Sequence, residues 1–192
     1  MNIIIFMKST QNPDQIVSQI SRLIDADNHS EIRLNANGGN SILIVCNPLD
    51  EIEFINSINK NLDRSKFEII DLNFLLLSFV KDNKQEIKQL FDLLQGSVNQ
   101  IFKAPAGEEG NDYFKKIIQS ISECLSNSKI PVLINTGVLY GAEIDNIQIM
   151  EHEVVMNASQ PLVVLYPATE DSDSLSFLGK RAASKYRCMI IS

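Results

Sequence analysis

Apolar residues along this chain follow two rhythms. Short runs at Ser41 to Cys46, Phe67 to Leu72, Ile130 to Gly137, Gln160 to Pro167 and Tyr186 to Ile191 are apolar on both faces of an extended chain. That pattern predicts strands of a parallel sheet covered on both sides. Between them, apolar residues recur every three or four positions, the repeat of a helix with one buried face. Asn12-Pro13-Asp14 supplies a cap and a first-turn proline, and Ile16, Val17, Ile20, Leu23 and Ile24 follow as one stripe. Residues 25 to 40 are polar and contain Asn37-Gly38-Gly39-Asn40, which reads as a loop leading into the first strand. Asn47-Pro48 repeats the cap-and-proline start, with Asp50 and Glu51 in the first turn and Ile52, Ile55, Ile58 and Leu62 on one face.

A strand, a helix and a second strand within about 30 residues predict a right-handed βαβ unit. Beyond it, Asn73 is expected to cap a helical region through Leu76, Phe79 and Val80. A charged break over 81–84 separates it from a second helix carrying Ile87, Leu90, Phe91 and Leu94, which ends at Gly96. A short helical turn over 97–103 and a flexible connector over 104–110 lead to a helix from Asp112 to about Asn127. Another helix is expected over 144–157, with Ile147, Val154 and Val155 inward. The whole predicts one α/β domain over residues 1–192, a Rossmann-like three-layer arrangement of a mostly parallel sheet flanked by helices. Residues 1–40 form its N-terminal helix and loop, and 41–192 its core. In such folds ligands or partners meet the carboxyl ends of the strands.

Composition narrows the function classes. A chain of 192 residues is long enough to close one core and bury about 70% of its unfolded surface. No stretch reaches the roughly 20 apolar residues of a membrane span, and Met1 to Met7 lacks the basic flank of a secretory signal. A soluble, cytoplasmic protein is expected. Cys46, Cys124 and Cys188 are odd in number and form no C-x-x-C pair, so reduced, buried thiols are expected. A net charge of -7 repels phosphate backbones, which argues against direct nucleic-acid binding.

Candidate chemistry is sparse. A phosphate loop needs a glycine-rich turn after a strand with a following Lys and Ser or Thr. Asn37-Gly38-Gly39-Asn40 precedes its strand, so it reads as a plain turn. Thr136 to Gly141 is better placed, between a strand and a helix, where backbone amides face outward; Thr136, Gly137 and Gly141 are the candidates there for a phosphate, against the structural reading of a tight turn. His29 lies in a polar stretch, and His152 sits between Glu151 and Glu153, neighbours that point in different directions on a helix, so no metal site is expected. The acidic turn Glu170 to Ser174 lacks the remaining ligands of a calcium loop. Lys180, Arg181, Lys185 and Arg187 form a basic cluster that suits an acidic partner surface, or a solvated helix end. These residues predict no catalytic constellation and no cofactor.

Several segments resemble a known family: Thr136-Gly137-Val138 after an apolar strand, Gln160 to Pro167, Leu175-x-Phe177-Leu178, and Lys185-Tyr186-Arg187 before a final strand. Together with the order of elements from Ile42 to Phe79, they are similar to the BrxB family of bacterial BREX phage-defence systems over residues 41–192. The chain departs from the family in having Ala168 in place of a glycine, in its Glu170-Asp171-Ser172 turn, and in the register of a helical histidine, which falls nearer Gln148 than His152. No functional residue is carried over to His152. The resemblance implies a cytoplasmic, non-catalytic component working with other BREX proteins: a methyltransferase, a large ATPase and a PglZ-type protein. The alternative is a nucleotide- or phosphate-binding, enzyme-like module using the Thr136 to Gly141 turn.

Overall fold

The computed structural model describes residues 12–25, 29–95, 97–105, 110–171, 174–183 and 187–192. Met1 to Met7, Gly96, the connector tip, the centre of the acidic turn and Lys185 lie outside them. Chain order is α1 (Pro13–Asp25), α2 (His29–Asn35), β1 (Ser41–Cys46), α3 (Glu51–Asn61), β2 (Phe67–Asp71), α4 (Leu72–Asp82) and α5 (Lys84–Leu94). A 3-10 turn (Val98–Ile101) follows, then α6 (Tyr113–Ser126), β3 (Ile130–Ile134), α7 (Val138–Gly141), α8 (Asn146–Met150) and α9 (Glu153–Met156). β4 (Leu162–Asp171), β5 (Ser174–Phe177), β6 (Arg181–Ala182) and β7 (Met189–Ile191) complete the chain.

The expected α/β architecture is present. Strands run in the order β2-β3-β4-β1-β7, and every pairing along that path is parallel. β4 outruns its parallel neighbours and continues into an antiparallel extension with β5 and β6, where Tyr166 and Phe177 stack with ring centroids 4.8 Å apart. β1 and β2 are parallel as the βαβ reading requires, yet β4 and β3 lie between them, so the unit spans two inserted strands.

Alternation along the strands builds the three layers. Ile42, Ile44 and Cys46 of β1 face a core shared with α1, α2 and α3, whereas Leu43 and Val45 face one shared with α4, α6 and α7 to α9. Burying side chains of this size contributes about 1.5–3 kcal/mol each, which sets the strand register.

Local expectations needed correction where tertiary contacts won. The polar stretch before β1 holds α2, because Ile32 and Ala36 are buried and Arg33 Nη2 donates to the carbonyls of Met156 (3.2 Å) and Ala158 (3.0 Å). α3 starts at Glu51, not at Pro48; Asn47 Oδ1 accepts from Leu49 N at 3.0 Å and closes a turn instead. Its buried face is Phe54, Ser57 and Ile58, and Ile52 is exposed. Asp71, not Asn73, caps α4, accepting from Asn73 N (2.9 Å) and Phe74 N (3.2 Å), so Leu72 belongs to the helix. The single helix expected over 144–157 is two, because His152 acts as a cap: its Nδ1 accepts from Val154 N at 3.2 Å and restarts the chain as α9.

Candidate functional site

All strands of the parallel sheet end at one edge, so the turns after β1, β2 and β3 lie together there. Asp71, at the end of β2, accepts from Asn135 Nδ2 (2.9 Å) besides capping α4, which ties two of these turns. In the Thr136 to Gly141 turn the left-handed residue is Asn135 (φ 57°), and Gly137 is helical (φ -52°). A Cβ on Gly137 would meet Leu178 at 3.7 Å, an ordinary contact, and one on Gly141 would meet open space. The tight turn is present, closed by Leu139 N donating to Thr136 O at 3.0 Å, but neither glycine is required by it. Thr136 is buried and its hydroxyl donates to Leu165 O at 2.7 Å, so the turn uses it to anchor itself to β4. α7 beyond it is a single turn of helix.

Glu51, in the first turn of α3, has a buried Oε1 that makes no hydrogen bond. Burial pushes its carboxyl above the usual range. Cys46, at the end of β1, lies near enough to Glu51 and Asp50 to feel both charges; burial first, and then those carboxylates, push its thiol up to about 12. Burial likewise raises Cys124 to about 12 and Cys188 to about 11, so all three are buried, free thiols as expected.

The described members of the basic cluster do not end a helix. Lys180 and Arg181 lie at the β5–β6 turn and Arg187 just before β7. Arg181 pairs with Asp145 and stacks its guanidinium 5.0 Å from the Tyr140 ring centroid. Arg187 reaches Glu151 with Nε at 3.1 Å and Nη2 at 3.3 Å, which holds the Glu151 carboxyl below its usual range. Two of the four cations thus close the molecule's own α7–α9 layer. Lys180 is exposed.

His152 borders an open cleft of about 580 Å³ together with Lys103, Asp112, Phe114, Lys115 and Glu143. Lys103 Nζ sits 5.3 Å from the Phe114 ring centroid, and the His152 ring meets Phe114 edge-on at 6.1 Å. Three of the polar groups here serve local structure. Asp112 accepts from Lys115 N (2.7 Å) and Ala104 N (3.0 Å), Lys115 Nζ donates to Gly110 O (2.7 Å), and His152 Nδ1 caps α9.

The surface the sequence reading passed over lies on α4 and α5. α4 carries apolar residues around most of its circumference; Leu72 and Phe79 are buried, but Phe74 is 72% and Leu77 69% exposed. On α5 no residue is buried, and Phe91 and Leu93 are 56% and 81% exposed. Lys84, Lys88 and Phe91 stand at i, i+4 and i+7, one row of a helix, and that spacing was the available signal. Comparison of the chain with family models, curated proteins and solved structures finds no match. Among the described residues, no helix is long and apolar enough to cross a membrane.

Proposed function

We propose that this chain is a non-catalytic protein-interaction component that assembles with partners in a bacterial BREX-type anti-phage system. The observation that carries the reading is the exposed apolar surface of α4 and α5. Large exposed apolar residues grouped on adjoining helices mark contact sites, since they leave water only when another surface covers them. The resemblance of residues 41–192 to the BrxB family supplies the setting, with a methyltransferase, a large ATPase and a PglZ-type protein as the candidate partners. The polar groups of the carboxyl edge and of the His152 cleft are largely engaged in caps and turns, which supports contact over chemistry.

Co-expression of the tagged chain with those BREX proteins tests the reading: a stoichiometric complex, and loss of phage resistance on deletion of the chain, are expected. Recovery of none of them, with resistance unchanged by deletion, overturns it. The competing reading, a phosphate bound at Thr136, Gly137 and Gly141, draws on the position of that turn at the carboxyl edge. A thermal-shift screen separates the two, because a nucleotide at 100 times its Kd adds about 2.7 kcal/mol of stability.

A further inference from the structure

We propose that the α4–α5 limb docks an acidic amphipathic helix of a partner protein, with the partner's apolar face on Leu77 and Phe91 and its carboxylates against Lys84 and Lys88. This rests on the contact function proposed above and names the chemistry of the partner.

The limb is built as an unfinished helical face. Asn83 alone separates α4 from α5; its φ of -111° leaves the helical range, and its Nδ2 donates to Phe79 O at 2.8 Å, which bends the rod there. Past that bend α5 runs 11 residues, shorter than the roughly 12–15 residues at which an isolated helix is even marginal in water. Its apolar stripe is Ile87, Leu90, Phe91 and Leu94. Of that stripe Ile87 packs against the main core, Leu90 and Leu94 are half-buried where α5 lies against the 3-10 turn, and Phe91 is exposed. A helix so placed gains its remaining stability from whatever covers the stripe.

Charge selects the occupant. The chain carries -7 overall, yet Lys81, Lys84 and Lys88 stand exposed along this limb. Among the described residues none of the three forms an ion pair, whereas Lys66, Lys116, Lys129, Arg181 and Arg187 each do. Lys84 and Lys88 precede Phe91 on the same row, along one edge of the stripe; Asp92 stands four residues past Lys88, and Glu86, four residues before Leu90, lies along the other edge. Asp82, at the bend, is occupied by Lys116 at 3.3 Å. An apolar stripe with unpaired lysines along one edge accepts a helix with apolar residues at i, i+3 and i+7 and Glu or Asp on the side that meets those lysines. A second copy of this chain would bring the same lysines to the contact.

The test uses the full chain co-expressed with the BREX methyltransferase, large ATPase and PglZ-type protein, with a photocrosslinking amino acid in place of Phe91. Crosslinks into an acidic amphipathic helix of one of them are expected, and the double variant Lys84→Glu, Lys88→Glu should weaken that complex about tenfold or more at low salt with the circular-dichroism spectrum unchanged. Exchanging the partner's facing Glu or Asp residues for Lys should restore it. A complex that forms normally in the double variant leaves the contact function standing and overturns this surface as its site; recovery of no partner overturns both. Crosslinks to a second copy, or flotation with phosphatidylglycerol vesicles that the double variant abolishes, also overturn it.

Discussion

The two edges of the parallel sheet are finished in different ways. At the edge where the strands begin, Asn40 ties the approach to β1 to the segment that precedes β4. Asn40 is buried; its Nδ2 donates to the carbonyls of Val155 (2.9 Å), Ala158 (3.1 Å) and Gln160 (3.0 Å), while its own carbonyl accepts from Leu162 N (3.0 Å). Gly39 beside it has no room for a side chain, since a Cβ there would lie 1.8 Å from Arg187 O. At the edge where the strands end, Leu49, Ile52, Phe74 and Tyr140 are exposed; a buried side-chain oxygen without a partner occurs at both edges, on Ser41 at the first and on Glu51 at the second. The first edge is closed against itself; the second, with the α4–α5 limb that springs from it, leaves surface for something else. Loss of a group should therefore be felt as stability at the first edge and as binding at the second.

The strongest way to break that contrast is Gly39→Ala. It must force the approach to β1 away from the approach to β7, and a loss of about 3 kcal/mol or more is expected in urea denaturation. A value near zero would mean the edge yields. Asn40→Ala comes next, because it leaves three buried or half-buried carbonyls short of a donor; about 2–3 kcal/mol should be lost, with a matching fall in Tm.

Glu51→Gln probes the other edge with the opposite sign. A carboxyl whose pKa is raised on folding holds more protons in the folded than in the unfolded chain, so it lowers stability as pH rises through the interval between its unfolded and folded values. Replacing it should raise Tm at pH 7, with the gain disappearing at pH 3, where both forms are neutral. Equal gains at both pH values would refute burial of the charge as the cause. Leu77→Ser, on the limb, should change stability by less than about 0.5 kcal/mol, because the side chain already meets water. A large loss in the isolated chain would show that Leu77 belongs to the core.

Much of the fold was legible because periodicity reports burial directly. Strands apolar on both faces, such as Ser41 to Cys46, had to lie between two layers, and α1 and α6 occur where their caps and stripes place them. The candidate sites fared unevenly. Thr136 lies at the predicted turn, but its hydroxyl bond to β4 is made across 29 residues of chain. Arg181 and Arg187 were visible as charges, whereas their partners Asp145 and Glu151 stand 36 residues away and only the packed layers bring them together. The Lys84, Lys88, Phe91 row was readable by spacing alone; that none of the described residues covers it was not.

Local pattern by itself determined the class of fold, the buried faces of α1 and α6 and the burial of the three thiols, since each depends on neighbours within a few residues. Tertiary structure decided the rest: that α2 forms at all, that β4 and β3 separate β1 from β2, that Gly39 is wedged and Gly137 is not, and which cations and apolar faces remain unspent. Those outcomes depend on groups far apart in the chain, whose meeting is set by the packing of whole layers and leaves no periodic mark on either segment.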